Sequence, residues 1–250
     1  MIFDFQSYLP KFSLVGFISS PIFAVLAILL FAGTPQAIAA PTLHIFNPSY
    51  TKAHTMQKKI SAFCPNIEVS VYGKAKDFRK RNQLSPPAAM ISLPIVIKQY
   101  SEYTLLAKGK KNQSFDQIYY LVAVDKAPTM DTIVGKQIGV IDLLGRKPMT
   151  ELTKTLLGDV TIKRVGKAED LLPLLNFKAV DALFISESDL SDLKSTTQLN
   201  LQTTKTSIRL GLPITVLLEQ KNKSAIQQCI AAFDNSTNNY LSVEKWSVSP

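Results

Sequence analysis

The chain is poor in the residues from which many enzyme and metal sites are built. It holds 2 cysteines, 2 histidines and 1 tryptophan in 250 residues. There is no C-x-x-C pair and no clustered Cys/His set, so a zinc site has no support. His44 and His54 stand apart, and a lone histidine is more often structural than a ligand or a base. No nucleophile–His–acid set and no glycine-rich phosphate loop is present, so the sequence names neither a hydrolase nor a phosphoryl-transfer enzyme, and no cofactor is expected. After Ala40 there is no second membrane-length apolar run, so the remainder reads as soluble. Two basic runs, one of Lys74, Lys76, Arg79, Lys80 and Arg81, the other of Lys108, Lys110 and Lys111, lack interleaved aromatics. They read as solvated faces, not as nucleic-acid grips.

What the chain does have begins at its N-terminus. Ser13 to Gly33 is almost wholly apolar, Thr34-Pro35-Gln36 breaks the run, and Ala37-Ile38-Ala39 follows as a small-x-small triplet. An apolar stretch, a break and a cleavage triplet read as a secretory signal over residues 1–39, cut after Ala39. The n-region is weak, because Lys11 is its only cation and Asp4 opposes it. An uncleaved membrane anchor therefore stays open, since the run is long enough to span. Export predicts a periplasmic protein with no nucleic-acid partner.

The net charge is +9, and Lys11 and Asp4 cancel, so the part beyond the signal is basic. Basic proteins bind anionic surfaces or small anions, or are merely kept in solution by their charge. Cys64 and Cys229 both lie beyond the cleavage site. In an oxidising compartment they could staple the two ends of the chain. Each also follows an apolar helical pattern, so two buried free thiols fit equally well.

Beyond residue 40 the patterning alternates between strand and helix. Thr42 to Phe46 alternates as a strand, and Ala53, Met56, Ile60 and Phe63 recur at helical spacing until Pro65. Ile67 to Tyr72 alternates strictly, Lys74 to Leu84 reads as a polar helix, and Ala88 to Leu93 as a short apolar strand. Gln117 to Val124 is a strong strand, and the polar stretch Asp125 to Met130 reads as a linker. The pattern then restarts: strand Lys136 to Ile141, helix Pro148 to Leu157, strand Val160 to Val165, a helix over Ala168 to Phe177 bent by Pro173, and strand Val180 to Ile185. Leu212 to Glu219 is another strand and Ser224 to Phe233 a last helix. The tail beyond Asp234 is polar, with Tyr240, Leu241 and Trp246 as its anchors. Two successive α/β units with a returning strand predict an α/β fold of two lobes. Each lobe is a mostly parallel sheet flanked by helices. Lobe 1 is expected over residues 40–126 and 210–250 and lobe 2 over 127–209, with two crossings forming a hinge.

Several segments resemble a known family. Ile133-Val134-Gly135-Lys136-Gln137-Ile138-Gly139-Val140 is similar to the L-x-G-K-x-I-G-V entry to the second lobe of bacterial extracytoplasmic solute-binding proteins with the type II periplasmic fold. Leu171 to Phe184 resembles their L-x-x-L-x-x-G-K-V-D-A-x-F segment, without the glycine before V-D-A. Tyr119 to Val124 and Leu212 to Leu218 look like the strands leading into and out of that lobe. The arginine-bearing T-x-x-R segment of amino-acid-binding members is missing. The element order is closer to members that bind phosphate- or phosphonate-like anions, although their Ser-Thr-Ser loop is absent.

Ligands of open α/β sheets bind beyond the carboxyl ends of the strands. That rule selects Asn47, Ser49 and Tyr50 after the first strand and Ser92 after the third. In lobe 2 it selects Asp142, Arg146, Lys147 and Thr150, then Ser186 and Glu187. Gly145-Arg146-Lys147-Pro148 combines close backbone approach, two cations and a helix start, the chemistry of an anion site. The resemblance thus implies a monomeric, non-catalytic binding protein. It would close on a small anionic solute and deliver it to an ABC-type permease, or present itself to a membrane receptor. An enzyme on the same scaffold would have Glu187 and Asp189 as its only loop carboxylates near the cleft.

Overall fold

The structure, a computed structural model, describes residues 40–248; the predicted signal and its cleavage site lie outside them. Lobe 1 begins with β1 (Thr42–Phe46), α1 (Ala53–Phe63), β2 (Glu68–Tyr72), α2 (Ala75–Leu84), β3 (Ala89–Ser92), α3 (Pro94–Ile97) and β4 (Thr104–Lys110). Lobe 2 follows with β5 (Asp116–Val124), β6 (Gln137–Ile141), α4 (Arg146–Leu157), β7 (Thr161–Val165), α5 (Leu171–Asn176), β8 (Ala182–Ser186), α6 (Glu187–Ser195) and β9 (Leu201–Gly211). The chain then returns to lobe 1 with β10 (Ile214–Leu217), α7 (Lys223–Ala231), α8 (Asn235–Tyr240) and β11 (Lys245–Val248).

The two sheets run β11-β4-β10-β3-β1-β2 and β7-β6-β8-β5-β9. Each contains a parallel triplet, β2-β1-β3 in lobe 1 and β7-β6-β8 in lobe 2. Antiparallel strands extend both triplets: β10, β4 and β11 in the first sheet, β5 and β9 in the second. The central strands are buried along their length, as residues Leu43 to Phe46 and Ala182 to Ser186 show. Fully covered strands of this kind read as continuous apolar runs. The repeated triplet order puts a topological switch point beside β1 in one lobe and beside β6 in the other.

The first crossing between lobes is the Lys111–Phe115 segment, not the Asp125 to Met130 stretch expected from sequence. β5 pairs with β8 and β9, so it belongs wholly to lobe 2. The polar stretch with Pro128 is a loop within that lobe, joining β5 to β6. Lobe 1 therefore ends before β5, and the boundary at residue 126 moves back to the turn after β4. The second crossing is Leu212-Pro213. The two crossings touch: the Leu212 amide donates to the Phe115 carbonyl at 2.7 Å, and Asp116 lies opposite Gly211.

Several elements escaped the sequence reading, among them β4, β9, α8 and β11. β4 and β9 carry polar residues on their exposed sides, and β9 is an edge strand with Thr206 as its one buried residue. The polar tail folds as α8 and β11. Trp246 Nε1 donates to Asn238 Oδ1 at 3.1 Å, Leu241 is buried, and β11 caps the edge of β4. Pro173 does not bend a long helix. A 3-10 turn at Ala168–Asp170 separates off the start, and Pro173 then falls in the first turn of α5, where its missing N–H has no intrahelical partner to lose. In the segment after Val134, Gly139 has a packing reason: a Cβ there would stand 2.6 Å from Leu183 Cδ2 and 3.2 Å from Leu174 Cδ1. His44 is buried in β1, its Nδ1 2.6 Å from Asn82 Oδ1, and burial holds its pKa below the usual histidine value. It is a structural histidine.

Of the two readings left open for the cysteines, the structure shows the disulfide. Cys64 follows α1 and Cys229 lies in α7, with Cα atoms 4.9 Å apart across a sequence separation of 165, inside the range a disulfide spans. Cross-linking so long a loop removes chain entropy worth up to about 5 kcal/mol. Replacing both cysteines by alanine should lower unfolding free energy by about 2–5 kcal/mol in denaturant titration. Adding reductant to the wild-type protein should reproduce the loss, and an unchanged midpoint would show that the bond does not form.

Candidate functional site

The carboxyl ends of the two parallel triplets face one another, and a cavity of about 390 Å³ lies between them. Lobe 1 contributes Phe46 and Asn47 from the end of β1, Ser49 and Thr51 from the loop behind it, and Ile91 and Leu93 around the end of β3. Lobe 2 contributes Val140 and Ile141 at the end of β6 and Phe184, Ile185 and Ser186 at the end of β8. These are the positions that flank the two switch points, where α/β sheets hold ligands. The tail completes the wall with residues from Asn239 to Val243.

Helix α4 explains the apolar side of this cavity. Met149, Leu152, Thr153 and Leu156 recur at helical spacing and all line it. Leu152 and Leu156 are only partly buried, so the stripe that would ordinarily be sealed by core instead borders open space. Leu143, Tyr119 and Phe184 continue the surface, and the Tyr119 and Phe184 rings stand 4.9 Å apart.

The polar side is carried by α6. Ser186 is its N-cap and accepts from the Asp189 amide at 3.2 Å. Its hydroxyl also lies 2.6 Å from Asp189 Oδ2 and 3.0 Å from Ser188 Oγ. Asp189 and Asp192, three residues apart, stand on one helix face and both line the cavity. Burial pushes the Asp189 carboxyl up to about 6, against the opposing pull of its hydrogen bonds to Ser186. Burial also raises Asp192. Tyr50 sits close enough to feel both carboxylates, and burial raises its phenol before they do. Tyr50 Oη and Ser49 Oγ are buried without a hydrogen-bond partner among the described residues.

The residues expected from sequence divide sharply. Asn47, Ser49 and Ser186 reach the cavity wall. Asn47 is also tied to the tail, its side-chain amide donating to the Tyr240 carbonyl at 2.5 Å. Tyr50 packs beside the site against the core. Ser92 is buried and donates to the Phe46 carbonyl at 3.3 Å, so it fixes β3 against β1 rather than facing a ligand. Asp142 is likewise structural: its Oδ1 accepts from the Gly145 amide at 2.6 Å and its Oδ2 pairs with Arg164 at 3.3 Å. Arg146 and Lys147 are exposed and lie off the cavity wall, which corrects the anion-site reading of that loop. Helix α4 starts at Arg146, so these cations belong to its solvent-facing first turn. Thr150 spends its hydroxyl on the Arg146 carbonyl. Glu187 borders a neighbouring cavity with Arg209 and Lys111.

Sequence reading missed Asp192, the α4 stripe and Arg79. Arg79 belongs to a run read as a solvated face, yet it turns toward lobe 2. A Cβ on Gly145, whose φ of +90° suits glycine, would meet Arg79 Nη2 at 3.0 Å. Lys74 similarly lies against Gly166. Among the described residues, no group of three or more His, Cys, Asp or Glu could hold a metal ion.

No family model matches the sequence, and no curated protein matches it. Solved structures match the fold. XAC2383 from Xanthomonas citri, bound to ATP, is 9% identical with a TM-score of 0.60, over 85% of this chain and 92% of that one. The BvgS VFT2 domain of Bordetella pertussis is 7% identical with a TM-score of 0.56, over 90% and 97%. The GluR0 ligand-binding core from Nostoc punctiforme, with L-glutamate, is 15% identical with a TM-score of 0.55, over 80% and 96%. At these identities the likeness is one of fold: two lobes of the periplasmic-binding-protein kind.

The raised Asp189 carboxyl has a stability consequence with a definite sign. Its folded pKa of about 6 exceeds the unfolded value of 3.8, so the folded state holds its proton more tightly. Asp189 therefore costs nothing well below pH 4, and its destabilisation grows as pH rises through 6. Asp189→Asn should leave stability nearly unchanged near pH 3 and raise it by about 1–3 kcal/mol at pH 7. Thermal denaturation of both proteins across that range measures the difference, and a gap independent of pH would refute the assignment.

Proposed function

We propose that the chain is an exported, non-catalytic binding protein that holds a small solute between its lobes and delivers it to a membrane transporter of the ABC type. One observation carries this reading: the cavity lies at the switch points of two sheets joined by two adjacent crossings, a geometry in which lobes move about a hinge. The fold neighbours support it, since they include a substrate-binding protein of an amino acid ABC transporter and ligand-binding cores. Periplasmic localisation follows from the same reading together with the apolar N-terminal run. Closure would draw its free energy from contacts made better in the closed state.

A second role, ligand sensing for a membrane receptor, is favoured by the likeness to the BvgS VFT2 domain. The same lobes would then report their state to a partner rather than surrender a solute. The expectation of an anionic solute draws little from the cavity. Among the described residues Lys111 is the one cation on its wall, which also carries Asp189 and Asp192.

Leu152→Trp tests the proposed site. The indole would fill space beside Met149 and Leu156 without removing any hydrogen bond. Residues 40–250, screened by thermal shift against a library of small metabolites, should gain stability with at least one compound. The variant should keep wild-type circular dichroism and lose at least about tenfold in affinity for that compound. A library with no stabilising member, or a hit indifferent to Leu152→Trp, would count against the cavity as the binding site. Co-purification from detergent-solubilised membranes, with a permease or with a receptor, separates the two roles.

A further inference from the structure

We propose that the solute held between the lobes is an apolar molecule bearing an amine, its ammonium group taken by Asp189 and Asp192 and its body by the α4 stripe. This rests on the solute-binding reading and adds the chemical class of the ligand. The wall divides into two chemically distinct parts. Met149, Leu152, Leu156, Leu143 and Phe184 offer a hydrophobic surface for an alkyl or aryl body. On the same wall, α6 presents two carboxylates three residues apart on one helix face. Neither has a cationic side chain within ion-pair distance among the described residues, whose four ion pairs lie elsewhere.

The orphaned hydroxyls agree with this assignment. Ser49 Oγ, on the wall, and Tyr50 Oη, buried beside Asp189 and Asp192, have no hydrogen-bond partner among the described residues. An ammonium group brings three N–H donors and no acceptor. It can satisfy a carboxylate and a hydroxyl oxygen together, and the pairing is strengthened by the apolar surroundings. An anionic guest would meet two carboxylates and a single lysine. The cations that would welcome an anion, Arg146 and Lys147, face solvent.

Three near-isosteric probes decide the matter by calorimetry near neutral pH on residues 40–250: phenethylamine, 2-phenylethanol and phenylacetate. Phenethylamine should bind at least about tenfold tighter than either of the others. Asp189→Asn/Asp192→Asn should erase that preference while leaving the affinity for 2-phenylethanol within about twofold. Asp192→Asn alone, at an exposed helical position, should remove part of the preference and guards against misfolding of the double variant. Arg146→Ala/Lys147→Ala should leave all three affinities unchanged. Tighter binding of phenylacetate, equal binding of all three, or an amine preference that survives both Asn substitutions overturns the amine class and leaves solute binding standing. If none of the three binds while the metabolite screen yields a ligand sensitive to Leu152→Trp, the amine class again fails alone. Silence in both experiments removes the solute-binding reading as well.

Discussion

The architecture depends on two short crossings held side by side. Leu212 donates to Phe115, and Gly211 stands opposite Asp116. Because the paired segments are only a few residues each, the lobes cannot drift apart, yet few backbone bonds oppose rotation between them. The Gly109 amide donates to the Pro213 carbonyl at 2.8 Å, which anchors the second crossing to the end of β4. Every feature of the site presupposes this arrangement. Without it the carboxyl ends of the β2-β1-β3 and β7-β6-β8 triplets would have no reason to face each other.

Given that apposition, the chemistry of the gap follows from what each end exposes. Strand ends offer backbone and short polar loops, and the helices that follow offer their first turns. In lobe 2 the two helices divide the work. Helix α4 turns an apolar stripe toward the cavity, while α6 lines it with Asp189 and, at a more exposed position, Asp192. The helix dipole favours acidic groups near an N-terminus, but burial overrides it at Asp189 and drives the carboxyl toward its neutral form. A carboxylate kept in so reluctant a state is satisfied best by a cationic partner, and none lies within ion-pair distance among the described residues.

The sequence made the alternation of strands and helices legible because the central strands are continuous apolar runs and the helices carry clean stripes. Leu43 to Phe46 and Met56 with Ile60 are examples. It hid the parts whose burial is one-sided. Thr203 to Ser207 within β9 looks like a polar loop until β5 supplies the partner strand. The site was legible only as a set of strand ends. The rule that finds carboxyl ends brought Asn47, Ser49 and Ser186 to the wall, but it cannot say which way a side chain points. Arg146 and Lys147 drew attention because charge and glycine stood together, whereas the fold turns them to solvent. Conversely, nothing in the helical pattern of Pro148 to Leu157 marks Leu152 and Leu156 as lining residues, since periodicity reports a buried face without saying whether protein or a cavity covers it. Arg79 is hidden by its company: nothing in a run of five cations marks the one that reaches across to Gly145.

The disulfide shows how the discontinuous lobe is held together without immobilising the pair. Lobe 1 is assembled from two stretches of chain separated by the whole of lobe 2. Its N-terminal and C-terminal parts must find each other after a long excursion, an entropic cost that grows with the length of the intervening loop. Cys64 precedes that excursion and Cys229 follows it, so the bond links α1 to α7 within lobe 1. The C-terminal segment reinforces the link, with Lys59 paired to Asp234 at 3.4 Å. None of these contacts touches lobe 2. The covalent constraint therefore falls within lobe 1, and the crossings carry no disulfide.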